Sequence, residues 1–347
     1  MKKETRHATL YRAYRPATFD EVRGQEHVVG VLEKEIQNKK PAHAYLFAGG
    51  RGTGKTSVAR ILAHELGVSD KDLYEIDAAS NRGIDDIRLL REGVYAMPFE
   101  SPYKVYIIDE AHMLTKEAWN AFLKTLEEPP AHCVFVLATT DRDRVPETIQ
   151  SRCEIFAFKQ PTRAMLAEIV ADIAKKEGYS LERSAAELVA LLAEGSFRDA
   201  ISILQKVLAV SSDKKIDVVE VETVSGAPRG ELVRQLLTSV AKRDPSTALE
   251  TIQQAVSENM DARTLTKLLI HRMRIVLLLR YAPALAESFS HALTEADVVL
   301  AQSLSKEVGV NSDTLKTLLE AHSRMAYAVV PHLPLELAVI DICAAKK

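Results

Sequence analysis

The segment Gly49-Gly50-Arg51-Gly52-Thr53-Gly54-Lys55-Thr56 constrains this chain more than any other. It fits the pattern G-x-x-x-x-G-K-[ST] and stands between an apolar run, Ala44-Tyr45-Leu46-Phe47, and a helical pattern carried by Val58, Ile61, Leu62 and Leu66. Strand, glycine-rich loop and helix in that order are the setting in which such a loop cradles phosphates. Its glycines let backbone N–H groups turn inward onto phosphate oxygens, and the N-terminus of the next helix adds partial positive charge. Lys55 is expected to reach the β and γ phosphates of ATP, and the Thr56 hydroxyl to ligate Mg²⁺.

Further apolar runs follow at Leu73-Tyr74-Glu75-Ile76, Val105-Tyr106-Ile107-Ile108, Cys133-Val134-Phe135-Val136-Leu137 and Ile155-Phe156-Ala157-Phe158, with helical patterns between them. This alternation predicts an α/β P-loop NTPase core, a parallel sheet with helices on its faces. After Gln160-Pro161 the strand-like runs stop, and helical periodicity takes over in Ala164 to Glu177, Ser184 to Glu194 and Asp199 to Val210. Gly226 and Pro228 punctuate the chain again, and long helices with breakers at Asp244-Pro245 and Pro331 to Pro334 follow. The expected division is an α/β nucleotide-binding domain over 1–161, a small helical domain over 162–225 and a second helical domain over 226–347. A length of 347 residues suits two or three domains.

The net charge of −3 sets up no global field for a nucleic-acid or membrane partner, so any DNA contact must come from a local patch. Cys133, Cys153 and Cys343 lack metal-ligand spacing and do not read as a disulfide framework, which points to a reducing cytoplasm. Ile275 to Leu279, closed off by Arg274 and Arg280, is far too short to span a bilayer and reads as a buried helix segment. The basic start, Met1 to His7, has no apolar core of a secretory signal.

The run Val105 to Ile108 ends in Asp109-Glu110, which puts two carboxylates at the C-terminal edge of the sheet, where open α/β folds bind ligands. Asp109 is expected to hold Mg²⁺ through water, and Glu110 to orient and polarise an attacking water, so the pairing predicts hydrolysis. Asp109-Glu110-Ala111-His112 also spells the signature of one helicase class, but no other helicase motif accompanies it. His112 is either a helix-start residue or a chemical participant. The strand from Cys133 ends in Ala138-Thr139-Thr140-Asp141, and Thr140, with Thr139 beside it, either senses the γ-phosphate, holds the water or simply makes a turn. Arg152, in Ser151-Arg152-Cys153, could complete a neighbour's site in trans, and Arg198, in Gly195-Ser196-Phe197-Arg198, could report nucleotide state in cis; each alone also fits a surface charge.

Taken in order, Tyr11-Arg12-Ala13-Tyr14-Arg15-Pro16, Gly24-Gln25-Glu26-His27, the Gly49 to Thr56 loop, Ile76-Asp77-Ala78-Ala79-Ser80, Ile107 to His112, Leu123 to Pro130, Leu137 to Asp141 and Ser151-Arg152-Cys153 resemble the gamma/tau subunits of bacterial DNA polymerase III. These are AAA+ clamp-loader ATPases, and the close matches cover roughly residues 10 to 205. The resemblance implies a helical lid, a C-terminal collar that oligomerises, and membership of a five-subunit assembly that opens a sliding clamp and closes it on primer-template DNA, with polymerase core as a further partner. It implies that Lys55 and Thr56 grip ATP, that Asp109 and Glu110 serve Mg²⁺ and water, that Thr140 is sensor 1, Arg152 the trans finger and Arg198 sensor 2. Tyr11, Arg15 and Val22 are then expected near the adenine.

One departure stands out. Members of this group usually carry a four-cysteine zinc module after the loop helix, whereas Leu66-Gly67-Val68-Ser69-Asp70-Lys71-Asp72 bridges that gap here, and no cysteine precedes Cys133, so no zinc is expected there. Arg82 and Arg88 flank a helix start and either track DNA phosphates or form a solvated face. Val94 to Phe99 either touches the clamp or packs in the core. A non-catalytic scaffold locked by ATP and a branch-migration motor are the rival readings.

Overall fold

The computed structural model describes residues 9–283 and 295–344; Met1 to His7 lies outside the described residues. The chain divides into two compact units, one of Met1–Leu166 with Ala193–Ser202, the other of Ala167–Leu192 with Ile203–Lys347.

In the first unit, β1 (Ala44–Gly49), β2 (Leu73–Asp77), β3 (Lys104–Asp109), β4 (Cys133–Thr139) and β5 (Glu154–Phe158) form a parallel sheet in the order β2-β3-β4-β1-β5. The central strands β1, β3 and β4 are buried along almost their whole length, which is why they read as unbroken apolar runs rather than alternating ones. The two-residue period still sorts their side chains. Tyr45, Phe47, Ile107 and Val136 enter one core with Val58, Ile61 and Leu62 of α3 (Lys55–Glu65) and with Val28 and Leu32 of α2 (Glu26–Gln37). Leu46, Ile108, Phe135 and Leu137 enter the other with Ile87 and Leu90 of α4 (Ile84–Val94) and Trp119 and Phe122 of α5 (Lys116–Glu127). Phe122 meets Phe135 edge to face at 5.2 Å between ring centroids, the arrangement the ring quadrupoles favour.

The short bridge from α3 to β2 is pinned by one buried carboxylate. Asp72 accepts the backbone N–H groups of Phe99 (2.6 Å), Glu100 (3.0 Å) and Ser101 (2.9 Å), and Ser101 Oγ in turn accepts the Ser69 N–H at 2.9 Å. Burial by itself would raise the Asp72 pKa, but the donors outweigh it and hold the carboxyl at about 2, below its ordinary 3.8.

The second unit contains most of α7 (Arg163–Lys176), then α8 (Arg183–Leu192), and a two-residue parallel pairing of Ser180–Leu181 with Lys215–Ile216 that a purely helical reading leaves out. Beyond α9 (Phe197–Val210) and α10 (Val218–Ser225), α11 (Gly230–Lys242), α12 (Pro245–Ser257), α13 (Ala262–Tyr281) and the helices Glu295–Leu304, Ser312–Arg324 and Leu333–Ala344 share one apolar core. Asp244-Pro245 starts a helix as well as breaking one. Asp244 caps α12 by accepting the Thr247 N–H at 3.2 Å, and Pro245, which has no N–H to lose, sits in the first turn. Asp261 and Asn311 cap their helices in the same way. Of the Ile275 to Leu279 run, Ile275 and Val276 are buried and the three leucines half-buried. Among the described residues no helix is long and apolar enough to cross a membrane.

The Asp72 cluster makes a prediction about acid stability. Because its folded pKa lies below its unfolded value, its contribution is complete above about pH 4 and is lost as pH falls toward about 2. Asp72→Ala should lower unfolding free energy at neutral pH by about 2 kcal/mol, since it strands three amide donors, and should flatten the acid limb of the stability curve. Denaturant titrations of both proteins between neutral pH and pH 2 would show unaltered stability and acid slope if the cluster were inert.

Candidate functional site

Gly49 ends β1, Asp109 ends β3 and Thr139 ends β4, and the order β3-β4-β1 makes those three C-terminal ends neighbours. Lys55 opens α3 and is 5% exposed. Its ammonium donates to the carbonyls of Gly49 (2.7 Å) and Gly50 (2.8 Å), and no carboxylate forms a salt bridge with it among the described residues. Burial lowers its pKa, and the more distant charges of Glu110 and Asp109 oppose that shift. A buried cation held only by its own loop carbonyls fits a multivalent anion. The loop fits one too. Gly54 has φ 103°, with open space where a Cβ would stand, and Thr53 Oγ1 donates to the Gly50 carbonyl at 2.9 Å, bracing the turn.

The carboxylates of β3 are already oriented. The Thr56 hydroxyl donates to Asp109 Oδ2 at 2.9 Å, and the Glu110 N–H donates to Asp109 Oδ1 at 3.0 Å. A hydroxyl and a carboxylate facing each other at a phosphate loop are the oxygen donors a hard cation such as Mg²⁺ takes. Glu110 has φ 48° and ψ 44°, left-handed backbone that a non-glycine residue adopts at a cost of about 1 kcal/mol or more. Its Oε2 accepts the Thr140 hydroxyl at 2.9 Å and lies 3.4 Å from His112 Nδ1. Lys55, Thr56, Asp109, Glu110 and Thr140 thus stand at adjacent strand ends.

The remaining expected residues have other surroundings. Arg15 Nε donates to Ser57 Oγ at 2.9 Å, and the Arg198 guanidinium lies 4.8 Å from the centre of the Tyr11 ring. Burial lowers the Arg15 pKa, and the charge of Arg60 adds to the shift. Val22 packs against the core that contains Phe19 and Val28. Arg51 is exposed. Arg152 is held away from the strand ends, donating to Glu127 Oε1 at 2.7 Å and to the Thr148 carbonyl at 2.7 Å. Of the surface candidates, Arg88 pairs with Asp85 on an exposed helix face, Arg82 is exposed, and Val94 is buried while Tyr95, Met97 and Phe99 are 60%, 73% and 75% exposed.

Two side chains that sequence reasoning passed over tie the loop in place. The buried amide of Gln25 donates to the Lys159 carbonyl at 2.7 Å and to the Thr53 carbonyl at 3.4 Å, and accepts the Lys159 N–H at 3.1 Å. Ser196 packs against Gly52, whose φ is 68°; a Cβ at Gly52 would fall 2.0 Å from Ser196 Oγ. The Phe197 N–H donates to the Gly52 carbonyl at 3.0 Å, and Ser196 Oγ caps α9 by accepting the Asp199 N–H at 3.1 Å. The spacing Ser196-Phe197-Arg198-Asp199 is that of a capping box and marks the helix start, but nothing in it says which loop the helix meets.

The sheet, the loop and the carboxylates at the strand ends define a P-loop NTPase. The Thermotoga maritima RuvB Holliday junction branch migration motor shares the fold with a TM-score of 0.53 and 26% identity, over 65% of this chain and 79% of that one. Sequence models narrow the class. Residues 24–82 and 68–162 match DNA polymerase III, delta subunit; residues 166–213 match the DNA polymerase III clamp loader subunit, ATPase lid domain; and residues 216–347 match DNA polymerase III subunits gamma and tau domain III. The DNA polymerase III subunit tau of Bacillus subtilis is 36% identical over 96% of this chain and 63% of its own length. The gamma/tau subunit of Mycoplasma pneumoniae is 40% identical over 61% of this chain and 34% of its own, and that of Mycobacterium tuberculosis 37% identical over 79% and 51%. The chain belongs to the DNA polymerase III gamma/tau family of clamp-loader subunits. It spans less than two thirds of the length of these relatives.

Gly52 offers a direct test of the loop geometry. Gly52→Ala must place a methyl group against Ser196 Oγ and force a left-handed φ, so it should weaken nucleotide binding about tenfold or more and destabilise the protein by about 1 to 2 kcal/mol. Titration with a fluorescent ATP analogue and a thermal melt would both be unchanged if the Gly52 to Ser196 contact were incidental.

Proposed function

We propose that the chain hydrolyses ATP to ADP and phosphate as one subunit of an assembly that opens a sliding clamp and loads it on primer-template DNA. The observation that carries this is the buried, unneutralised ammonium of Lys55 beside the Thr56 to Asp109 pair and the held carboxylate of Glu110. Lys55 and the loop amides of Gly49 to Thr56 bind the phosphates. Thr56 and Asp109 would hold Mg²⁺, which when bound offsets charge on the phosphate oxygens. Glu110 accepts a hydrogen bond from the attacking water and polarises it, and Thr140 keeps the carboxylate in place as sensor 1. Tyr11, Arg15 and Val22 border the adenine, and Arg198 senses the nucleotide in cis.

Arg152 acts in a neighbouring subunit's site. Its position at an exposed chain reversal, tied to Glu127 rather than to the phosphate loop, supports a role outside its own site. The partners are other clamp-loader subunits in a hetero-pentamer, the clamp, primed DNA and polymerase core, all in the cytoplasm. The working division is a nucleotide domain over 1–161, a lid over 162–225 and an oligomerising collar over 226–347. The exposed Tyr95, Met97 and Phe99 suit a clamp contact, and Arg82 and Arg88 suit DNA phosphates. The RuvB likeness favours a branch-migration motor as the second reading, but it is the weaker one, because family matches at higher identity continue through residues 216–347.

ATP turnover measured with partner subunits, clamp and primed DNA should exceed that of the isolated chain by about tenfold or more, and Lys55→Ala should abolish it. In the same assay, Arg152→Ala should lower turnover of the assembly by about a hundredfold or more while leaving ATP binding by the isolated chain intact. Junction-stimulated but clamp-independent turnover would favour the branch-migration reading instead.

A further inference from the structure

His112 is a residue for which the motifs supply no task, and its surroundings assign one. Its side chain is 10% exposed, and Nδ1 lies 3.0 Å from Thr139 Oγ1 and 3.4 Å from Glu110 Oε2. The state of that nitrogen follows from counting hydrogens. The buried Thr139 hydroxyl has one hydrogen and donates it to the Asp141 carbonyl at 2.9 Å, a contact between two oxygens that only a shared proton can make favourable. The same oxygen accepts the Asp141 N–H at 3.0 Å. Its remaining lone pair can only accept, so His112 Nδ1 carries a hydrogen and donates.

That N–H goes to Thr139, and the same nitrogen lies 3.4 Å from Glu110 Oε2, close enough for its positive edge to attract the carboxylate. On the other side, the Thr140 hydroxyl donates to the same oxygen of Glu110, Oε2. One hydroxyl hydrogen bond and one nearby ring N–H therefore hold Oε2 of a residue whose own backbone is left-handed. A strained backbone persists only where its surroundings over-determine it, and these two contacts are part of what does so here.

We propose that His112 is a positioning residue: its Nδ1–H, anchored on the Thr139 hydroxyl, sets the orientation of the Glu110 carboxylate so that Oε1 addresses the attacking water. This rests on the reading of Glu110 as the group that polarises water. It assigns Thr139 and Thr140 different tasks: Thr139 orients the imidazole, and Thr140 holds the carboxylate directly.

The test uses the full chain in the assembly that turns over ATP fastest. Asparagine places a side-chain N–H where Nδ1–H stands and glutamine does not, so His112→Asn should keep kcat within about threefold of wild type, while His112→Gln and His112→Ala lose about tenfold or more in kcat with KM for ATP within about twofold. Thr139→Ser should behave as wild type and Thr139→Val as His112→Gln, and adding Thr139→Val to His112→Ala should cost little more, because the two act as one unit. Equal activity of the Asn and Gln variants, whether both normal or both reduced together with thermal stability, would overturn the role and leave His112 a packing residue. Absence of turnover in the wild-type assembly despite ATP binding would overturn the hydrolytic reading itself and this role with it, an outcome distinct from any pattern among the variants.

Discussion

A positive charge buried without a negative one of its own is the constraint around which the nucleotide unit is built. Taking an ammonium out of water is expensive, and two carbonyl hydrogen bonds from Gly49 and Gly50 offset only part of that. The fold accepts the penalty because β1, β3 and β4 are neighbours, so burial lowers the Lys55 pKa while two carboxylates nearby oppose part of that fall without pairing with it. Move Asp109 close enough to pair with Lys55 and the site would be self-satisfied. Instead Asp109 gives its two oxygens to Thr56 and to the Glu110 amide, and the charge of Lys55 stays available to an anion.

The hydrogen bonds around this charge divide into those that shape the loop and those that aim the carboxylates. Gln25 and the Phe197 N–H reach the loop from segments far away in sequence and close on Thr53 and Gly52. On the other side, Thr140 donates to Glu110, and His112, held by Thr139, lies beside the same carboxylate. Because Ser196 caps α9 while the adjacent Phe197 amide holds Gly52, any displacement of that helix start is felt by the loop backbone. Such contacts fix the loop backbone against residues 193–202 of the same unit.

Much of this was legible in the sequence because the strands and loop obey short-range rules. Parallel strands buried on both faces leave unbroken apolar runs, and each run falls inside an observed strand. The loop pattern is local, and so is the Asp109-Glu110 strand end. What stayed hidden depends on tertiary approach. Gly52 is readable as a flexible position, but its close contact with Ser196 joins residues separated by most of the unit. The left-handed backbone of Glu110 has no sequence mark, since glutamate rarely adopts it. Asp72 looks like one more acidic residue in a polar bridge, and only burial beneath three amides makes it structural. Prolines mislead in a systematic way: Pro245 and Pro334 both lie in first turns, where the missing N–H is harmless, so each signals a helix start as much as a break.

We propose that the charge of Lys55 is kept for the outer phosphates of a nucleotide. Calorimetric titration of the chain with ATP and with adenosine monophosphate measures this directly, because the two ligands share the base and sugar and differ in the phosphates that Lys55 addresses. Affinity for ATP about a hundredfold or more above that for the monophosphate, with the difference largely removed in Lys55→Ala, is the expected result. Equal affinities for the two ligands, or a difference that survives Lys55→Ala, would contradict it.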